Sequence, residues 1–509
     1  MAIKTVAIMA CAALVANPVS LFAVCQQTAD AQQQSGAEPE HSPVAERLIE
    51  DIRTGNRLSG RELFEQDFRT YEGFQSGGDG IGPLFNDVSC IACHHQGGIG
   101  GGGDLNHNVD ILTFTERSLR LPPQMLASVH PGFLDPSGQF VPSLVLHQFS
   151  TNDIYAGERE QFLDPRWTRL ENDNRKLQMV MEHSPVRVIE PVDGIYLTHS
   201  QRNTPALFGT GLIDQIPEEL FAELAETPRR FGVSGRVSRT NDRRPGRFGW
   251  RAQLPDLNEF VLSACANEIG LEVRGHSQAK DPHNPTARLM APEISSADTD
   301  AMIEYVASLE APVIDVPDHK FESATNGLRV FNEIGCAECH VRHVGPARNI
   351  FSDLLLHDMG SGLSDPLPAS REVETVYTPN EEGTGTVSFF EEPRVVNVYY
   401  VGTVTVPQIS TEPNYDDPYM DVSERWAETS TDPRDEWKTP PLWGCADSAP
   451  YMHDGRSPTL DDAIKRHGGE ARSIRLNYMR LSLKDREDLL TFLGCLRAPE
   501  AAENLSARR

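Results

Sequence analysis

For 509 residues the chain is poor in cysteine, with nine, and in aromatic residues, at 7%. It is also poor in positive charge, with 46 lysines and arginines against 74 aspartates and glutamates. Sparse cysteine excludes a small scaffold stapled by disulfides. A net charge of -28 excludes nucleic acid and anionic membrane surfaces as main partners. Such an acidic surface could steer a basic redox partner, although solubility alone explains it. Beyond Val24 no run is long and apolar enough to span a bilayer, so the chain does not read as an integral membrane protein. What remains is an ordinary globular composition, 39% hydrophobic and 24% charged, at a length that calls for two or three domains.

The first residues differ from the rest. Lys4 precedes a mostly apolar run from Val6 to Val24, interrupted by Asn17-Pro18 and followed by Ala29-Asp30-Ala31. A short basic start, an apolar run and a small-x-small site describe a signal peptide over residues 1–31. Residues 32–45 are polar and read as a tether. The mature protein is therefore expected outside the cytoplasm, in the periplasm, in soluble form.

Four of the nine cysteines sit in two short motifs, Cys90-Ile91-Ala92-Cys93-His94 and Cys336-Ala337-Glu338-Cys339-His340. In C-x-x-C-H two thiols on adjacent turns can reach both vinyl groups of one haem, and the following imidazole lies beneath the iron. A zinc half-site or a dithiol redox pair uses similar spacing, but two copies in one exported chain favour covalent haem. We read Cys90, Cys93, Cys336 and Cys339 as attachment points, with His94 and His340 as iron ligands. Cys445 and Cys495 share the last stretch of chain and are expected to pair as a disulfide, leaving Cys265 over.

The chain repeats itself once. Gly60-Arg61-Glu62-Leu63-Phe64 leads towards the first motif, and Gly327-Leu328-Arg329-Val330-Phe331 leads into the second. Residues 202–209 are echoed by 438–444, and Trp250–Leu257 aligns without gaps on His453–Leu460. Three features in the same order predict a mainly α protein of two tandem cytochrome c-like haem domains with long loops. The first should cover residues 46–312, with a loop insertion after Gly100, and the second residues 318–509. A Pro-punctuated link, Ala311–Pro317, separates helical patterns at Ser296–Leu309 and Glu322–Ile334, and a last helix is expected over Lys484–Leu496.

The gapless repeat also makes the two halves unequal. His467 lies fourteen residues after His453, and the position fourteen after Trp250 is Ala264. One half thus offers an imidazole where the other offers a methyl group. His467 would close the second iron, leaving the first open to peroxide or oxygen.

These residues resemble the bacterial di-haem oxidoreductase family, and more distantly the di-haem cytochrome c peroxidases. The resemblance runs from about Gly60 to Leu496 and is carried by Gly82-Pro83-Leu84-Phe85-Asn86, Gly246-Arg247-Phe248-Gly249-Trp250, Leu355-Leu356-His357-Asp358-Met359-Gly360 and Tyr451-Met452-His453-Asp454-Gly455-Arg456 with His467-Gly468-Gly469. It implies a peroxidase-like enzyme in which Trp250 bridges the haems and Glu268 serves the reactive pocket. The relatives' pocket glutamine is replaced here by Phe260, and their distal methionine by His467. The resemblance further implies a small redox protein as electron donor, peroxide as substrate, and allows a calcium ion between the domains. His107 could be a switchable sixth ligand, as in some relatives. The competing reading is a non-catalytic di-haem electron-transfer cytochrome.

Overall fold

The computed structural model describes residues 58–70, 80–115, 118–134, 139–163, 187–192, 194–240, 242–284, 292–365, 375–379, 385–389 and 433–499. The expected signal peptide and tether lie outside them. Residues Leu58–Arg509 form one compact unit. Among the described residues no helix is long and apolar enough to cross a membrane.

The fold is mixed, 41% helical and 16% strand, where a mainly α chain was expected. The strands come largely from the stretch expected to be loops. There β1 (Val109–Phe114), β2 (Ser143–Leu146), β3 (Arg187–Val192) and β4 (Ile195–Arg202) form an antiparallel sheet in the order β2-β1-β4-β3. Alternate residues such as Ile195 and Leu197 on β4 and Leu112 and Phe114 on β1 turn inwards. They build a small separate core with Phe133, Leu144, Tyr155 and Phe162. Local sequence between widely spaced prolines and glycines hid this sheet, because its pairing joins strands some ninety residues apart.

The helices repeat. In the first half α1 (Gly60–Glu65), α2 (Leu257–Asn267) and α3 (Ser296–Ser308) surround the first motif. In the second half α4 (Phe321–Ile334), α5 (Leu460–Arg466), α6 (Arg472–Arg480) and α7 (Leu483–Leu493) surround the second. The last helix therefore ends earlier than expected, at Gly494, and Leu496–Arg497 instead pairs with Val313–Ile314 of the link.

Each half contains a close helix crossing at a glycine. A Cβ on Gly60 would lie 2.0 Å from the Ala301 carbonyl oxygen, and one on Gly327 would lie 2.0 Å from that of Asp488. Four residues after each glycine a phenylalanine reaches the motif histidine, Phe64 to His94 and Phe331 to His340, both with ring centroids 6.3 Å apart. Gly327→Ala must push α4 off α7. We expect a loss of about 1–3 kcal/mol, read as a lower midpoint in thermal unfolding.

The aligned turns share backbone geometry. Phe248 pairs with Leu254 as Tyr451 pairs with Ser457. Positive φ occurs at Gly249 (81°) and Met452 (74°), and again at Ala252 (49°) and Gly455 (73°). Helices α2 and α5 start at the matched Leu257 and Leu460, capped by Asp256 and Thr459 side chains. The halves then exchange bonds reciprocally. The Asn203 N–H donates to the His453 carbonyl (2.7 Å), and the Lys438 N–H donates to the Trp250 carbonyl (3.1 Å). Each turn is held by the other half.

Candidate functional site

Around the second motif, α4 ends on Gly335 (φ 109°), and the chain turns through Cys336–Glu338 to present both thiols and His340. The His340 Nδ1–H donates to the Phe351 carbonyl (2.8 Å), and the His467 Nδ1–H donates to the Ala463 carbonyl (2.8 Å). Since a carbonyl only accepts, Nε2 is the lone-pair nitrogen on both rings. The ring centroids stand 6.5 Å apart. An ion held by both Nε2 atoms at about 2.0–2.1 Å would set the centroids roughly 6 Å apart, so the spacing leaves room for one iron between the rings. Removal from water lowers both imidazoles, His340 to about 4, which keeps them neutral and able to ligate. Cys336, Cys339, His340 and His467 line one cavity of about 280 Å³ with mostly apolar walls, including Leu460 and Ile464. Two thiols, two neutral imidazoles and an apolar cavity suit a covalently bound haem.

The first motif is built alike on one side and differently on the other. Cys90–Cys93 forms a helical turn, and the His94 Nδ1–H donates to the Gly101 carbonyl (3.1 Å). Burial pushes the His94 imidazole down to about 4. Here, however, the helix matching α5 does not stop. It runs through Ala264 to Asn267, and the position matched to His467, Ala264, carries only a methyl group. The residue after the helix is Glu268. Its carboxylate accepts from Asn86 Nδ2 (2.6 Å), and its carbonyl accepts from the Asn86 N–H (2.7 Å). Burial raises the Glu268 carboxyl, against the opposing effect of the Asn86 bond.

Phe260 stacks on Phe248 with centroids 5.5 Å apart and packs against the hydrophobic core of the first half. Cys265 is a buried core thiol. His107 is set among acids, Nδ1 donating to Asp104 (2.9 Å) and Nε2 lying 3.4 Å from Asp87. Asp87, Cys93 and His107 bring their ligand atoms within 4.8 Å of one another, a set that would lose its thiolate if Cys93 bonded a haem vinyl group. The expected Cys445–Cys495 disulfide is not formed. Both are free thiols, and each donates to a nearby carbonyl, of Leu493 and Thr491 respectively.

Trp250 lines the second motif's cavity, and its indole N–H donates to the Asn203 carbonyl (2.8 Å). Asn203 in turn donates from its side chain to Gly103, nine residues beyond His94. Lys438 faces the same cavity, and among the described residues its ammonium meets only the Arg247 carbonyl (3.0 Å). Removal from water lowers it to about 8. A carboxylate of a bound cofactor would supply the missing counter-charge.

One cluster went unassigned in the sequence. His357 is fully buried, with Nε2 donating to Asp353 (2.9 Å) and Nδ1 to Glu470 (3.0 Å), beside the Cys339 sulfur (3.6 Å). Burial alone would lower its pKa, but these bonds hold it well above the usual imidazole value. Arg229 completes the pairing of Asp353, and Arg236 that of Glu470. Burial would raise Glu470, yet its hydrogen bonds bring it down to about 2. The stabilisation from His357 is therefore complete below the unfolded pKa of about 6.5 and is lost as pH rises through the raised folded value. That from Glu470 is present above about 4.3 and is lost as pH falls towards 2. His357→Ala takes from Asp353 and Glu470 the cation they share and leaves each only its arginine. It should cost about 3–5 kcal/mol and remove the alkaline limb of a melting-temperature profile against pH.

Residues 421–496 match the family described as "Di-haem oxidoreductase, putative peroxidase", which agrees with the resemblance seen in the motifs. This segment contains the Tyr451–Arg456 turn and His467, and the match supports a di-haem redox role. Among solved structures, a hydrazine synthase of Kuenenia stuttgartiensis is 19% identical, covering 58% of this chain and 73% of that one, with a TM-score of 0.27. A MauG-like protein associated with microbial copper homeostasis is 17% identical, covering 56% and 90%, with a TM-score of 0.24. No curated protein matches the chain.

Proposed function

We propose that the chain is an exported, periplasmic di-haem c-type oxidoreductase of peroxidase type, built as two tandem haem domains. Electrons from a small redox protein would enter at His340 and His467 and pass by way of Trp250 to an open site at His94, where peroxide reacts. The haems would supply one-electron chemistry and, at an open coordination position, cleavage of the peroxide O–O bond.

The chain's own residues would do the rest. Cys90, Cys93, Cys336 and Cys339 would hold the two groups covalently, and the Gly101 and Phe351 carbonyls would fix the proximal rings. Glu268, oriented by Asn86, would take a proton from one peroxide oxygen onto its free carboxylate oxygen and return it to the other. The hydrogen bond to Asn203 would hold the Trp250 ring in place between the motifs. The observation that carries this reading is the inequality of matched positions, His467 facing His340 in one half and Ala264 within a continuing helix in the other.

An absorption and EPR spectrum of the purified holoprotein tests it. One low-spin bis-imidazole haem and one high-spin haem that reacts with peroxide are expected. Two low-spin haems inert to peroxide would make the chain an electron carrier instead.

A further inference from the structure

The surface next to His467 runs against the charge of the whole molecule. Acidic residues outnumber basic ones 74 to 46 over the chain. Between Ala463 and Lys484, however, the sequence carries Lys465, Arg466, Arg472, Arg475, Arg480 and Lys484 against one acid, Glu470, with Asp461, Asp462, Asp485, Glu487 and Asp488 just outside the stretch. Glu470 is turned inwards to His357 and Arg236. Lys465, Arg466 and Lys484 pair with carboxylates within their own helices. Among the described residues Arg472, Arg475 and Arg480 form no ion pair.

The same segment is apolar where it meets water. Helix α6 buries Ile474 and Tyr478 and exposes Leu476 (40%) and Met479 (49%), and Leu483 beyond it is 78% exposed. A spacing of three puts Leu476 and Met479 on one face of α6, flanked by Arg472 and Arg480, and Leu483 follows past the helix end as the first residue of α7. Ile474 and Arg475 line the cavity that holds His340 and His467. An apolar centre, rimmed by arginines that form no ion pair among the described residues, thus lies over one wall of that cavity.

We propose that this face docks an acidic redox protein, one whose own apolar contact surface is ringed by carboxylates. One electron would leave the reduced partner and arrive at the site of His340 and His467, with no proton moved. The proposal rests on the reading that this pair holds the electron-receiving haem, and it names the partner's charge as the opposite of what net charge suggests. Long-range repulsion from the acidic remainder of the molecule is screened within about 8–10 Å at ordinary salt, so the local rim decides the encounter.

The test uses holoprotein and two reduced probes, an acidic and a basic single-haem cytochrome c, followed by stopped flow at about 0.1 M salt, where screening confines the encounter to the local rim. The acidic probe should reduce the protein about tenfold faster or more, and salt near 0.5 M should erase the difference, which is roughly the gain steering provides. Arg472→Glu with Arg480→Glu should slow the acidic probe by a similar factor while reduction by dithionite is unchanged. Leu483→Ser, at a solvent-facing side chain, should slow it a few-fold without changing the melting temperature. Equal rates for both probes, or an arginine variant as fast as the parent, would overturn the proposal. So would sedimentation showing that this face joins two copies of the chain, or binding to anionic vesicles through it with no effect on reduction rate. Failure of the underlying reading looks different. The bis-imidazole spectrum would then be missing from the parent protein whatever the probes do.

Discussion

His467→Ala is expected to convert one haem from low-spin to high-spin and leave the other unchanged. The bis-imidazole signal should disappear completely from the EPR spectrum, because the lost ring is the imidazole whose centroid stands 6.5 Å from that of His340. The neighbouring acceptor, the Ala463 carbonyl, loses only a donor at a helix end, so folding should survive. His467→Met is the informative companion. A thioether in place of imidazole raises the potential of such an iron, which a potentiometric titration would read directly. An unchanged bis-imidazole signal in the alanine variant would show that His467 is not the ligand.

Glu268→Gln should lower peroxide turnover by about 10²–10⁴-fold, the usual worth of a positioned proton-transfer group. The variant keeps an acceptor for Asn86 Nδ2, so the loss would report proton transfer and not the fold. The pH profile supplies the sign. Burial raises the Glu268 carboxyl, and the carboxylate form is the one that accepts a proton. Activity should therefore rise with pH through a value above the ordinary carboxylate range, and this limb should vanish in the glutamine variant. Asn86→Ala removes the one bond that opposes the shift, so it should move the limb upwards. Turnover indifferent to Glu268→Gln, with Phe260 already in the relatives' glutamine position, would leave a pocket unsuited to peroxide.

The parts legible in the sequence are those written in short-range pattern. C-x-x-C-H is a spacing suited to haem attachment, visible without any fold. The offset that matches Trp250 with His453 survives because the two turns share a register and two positive-φ positions each. Helices Ser296–Ser308 and Phe321–Ile334 followed from their apolar spacing. The sheet from Val109 to Arg202 did not, since its strands pair across long intervals that single-sequence periodicity does not connect. The Cys445–Cys495 pairing failed for a related reason. Nearness along the chain does not fix which way two thiols point, and both found carbonyls instead.

By itself, then, the sequence determined that two motifs suited to haem attachment exist and that only one half carries an imidazole at the matched position fourteen residues beyond the aligned turn, because attachment and ligand spacing are local. Tertiary structure alone decided which distant groups meet. It joined Asn86 to Glu268 across 182 residues, closed two carboxylates on His357, and crossed the Asn203 and Lys438 bonds between the halves. Such contacts depend on how helices and sheet pack in three dimensions, and burial, which shifts the protons of Glu268 and His357, exists only once they have done so.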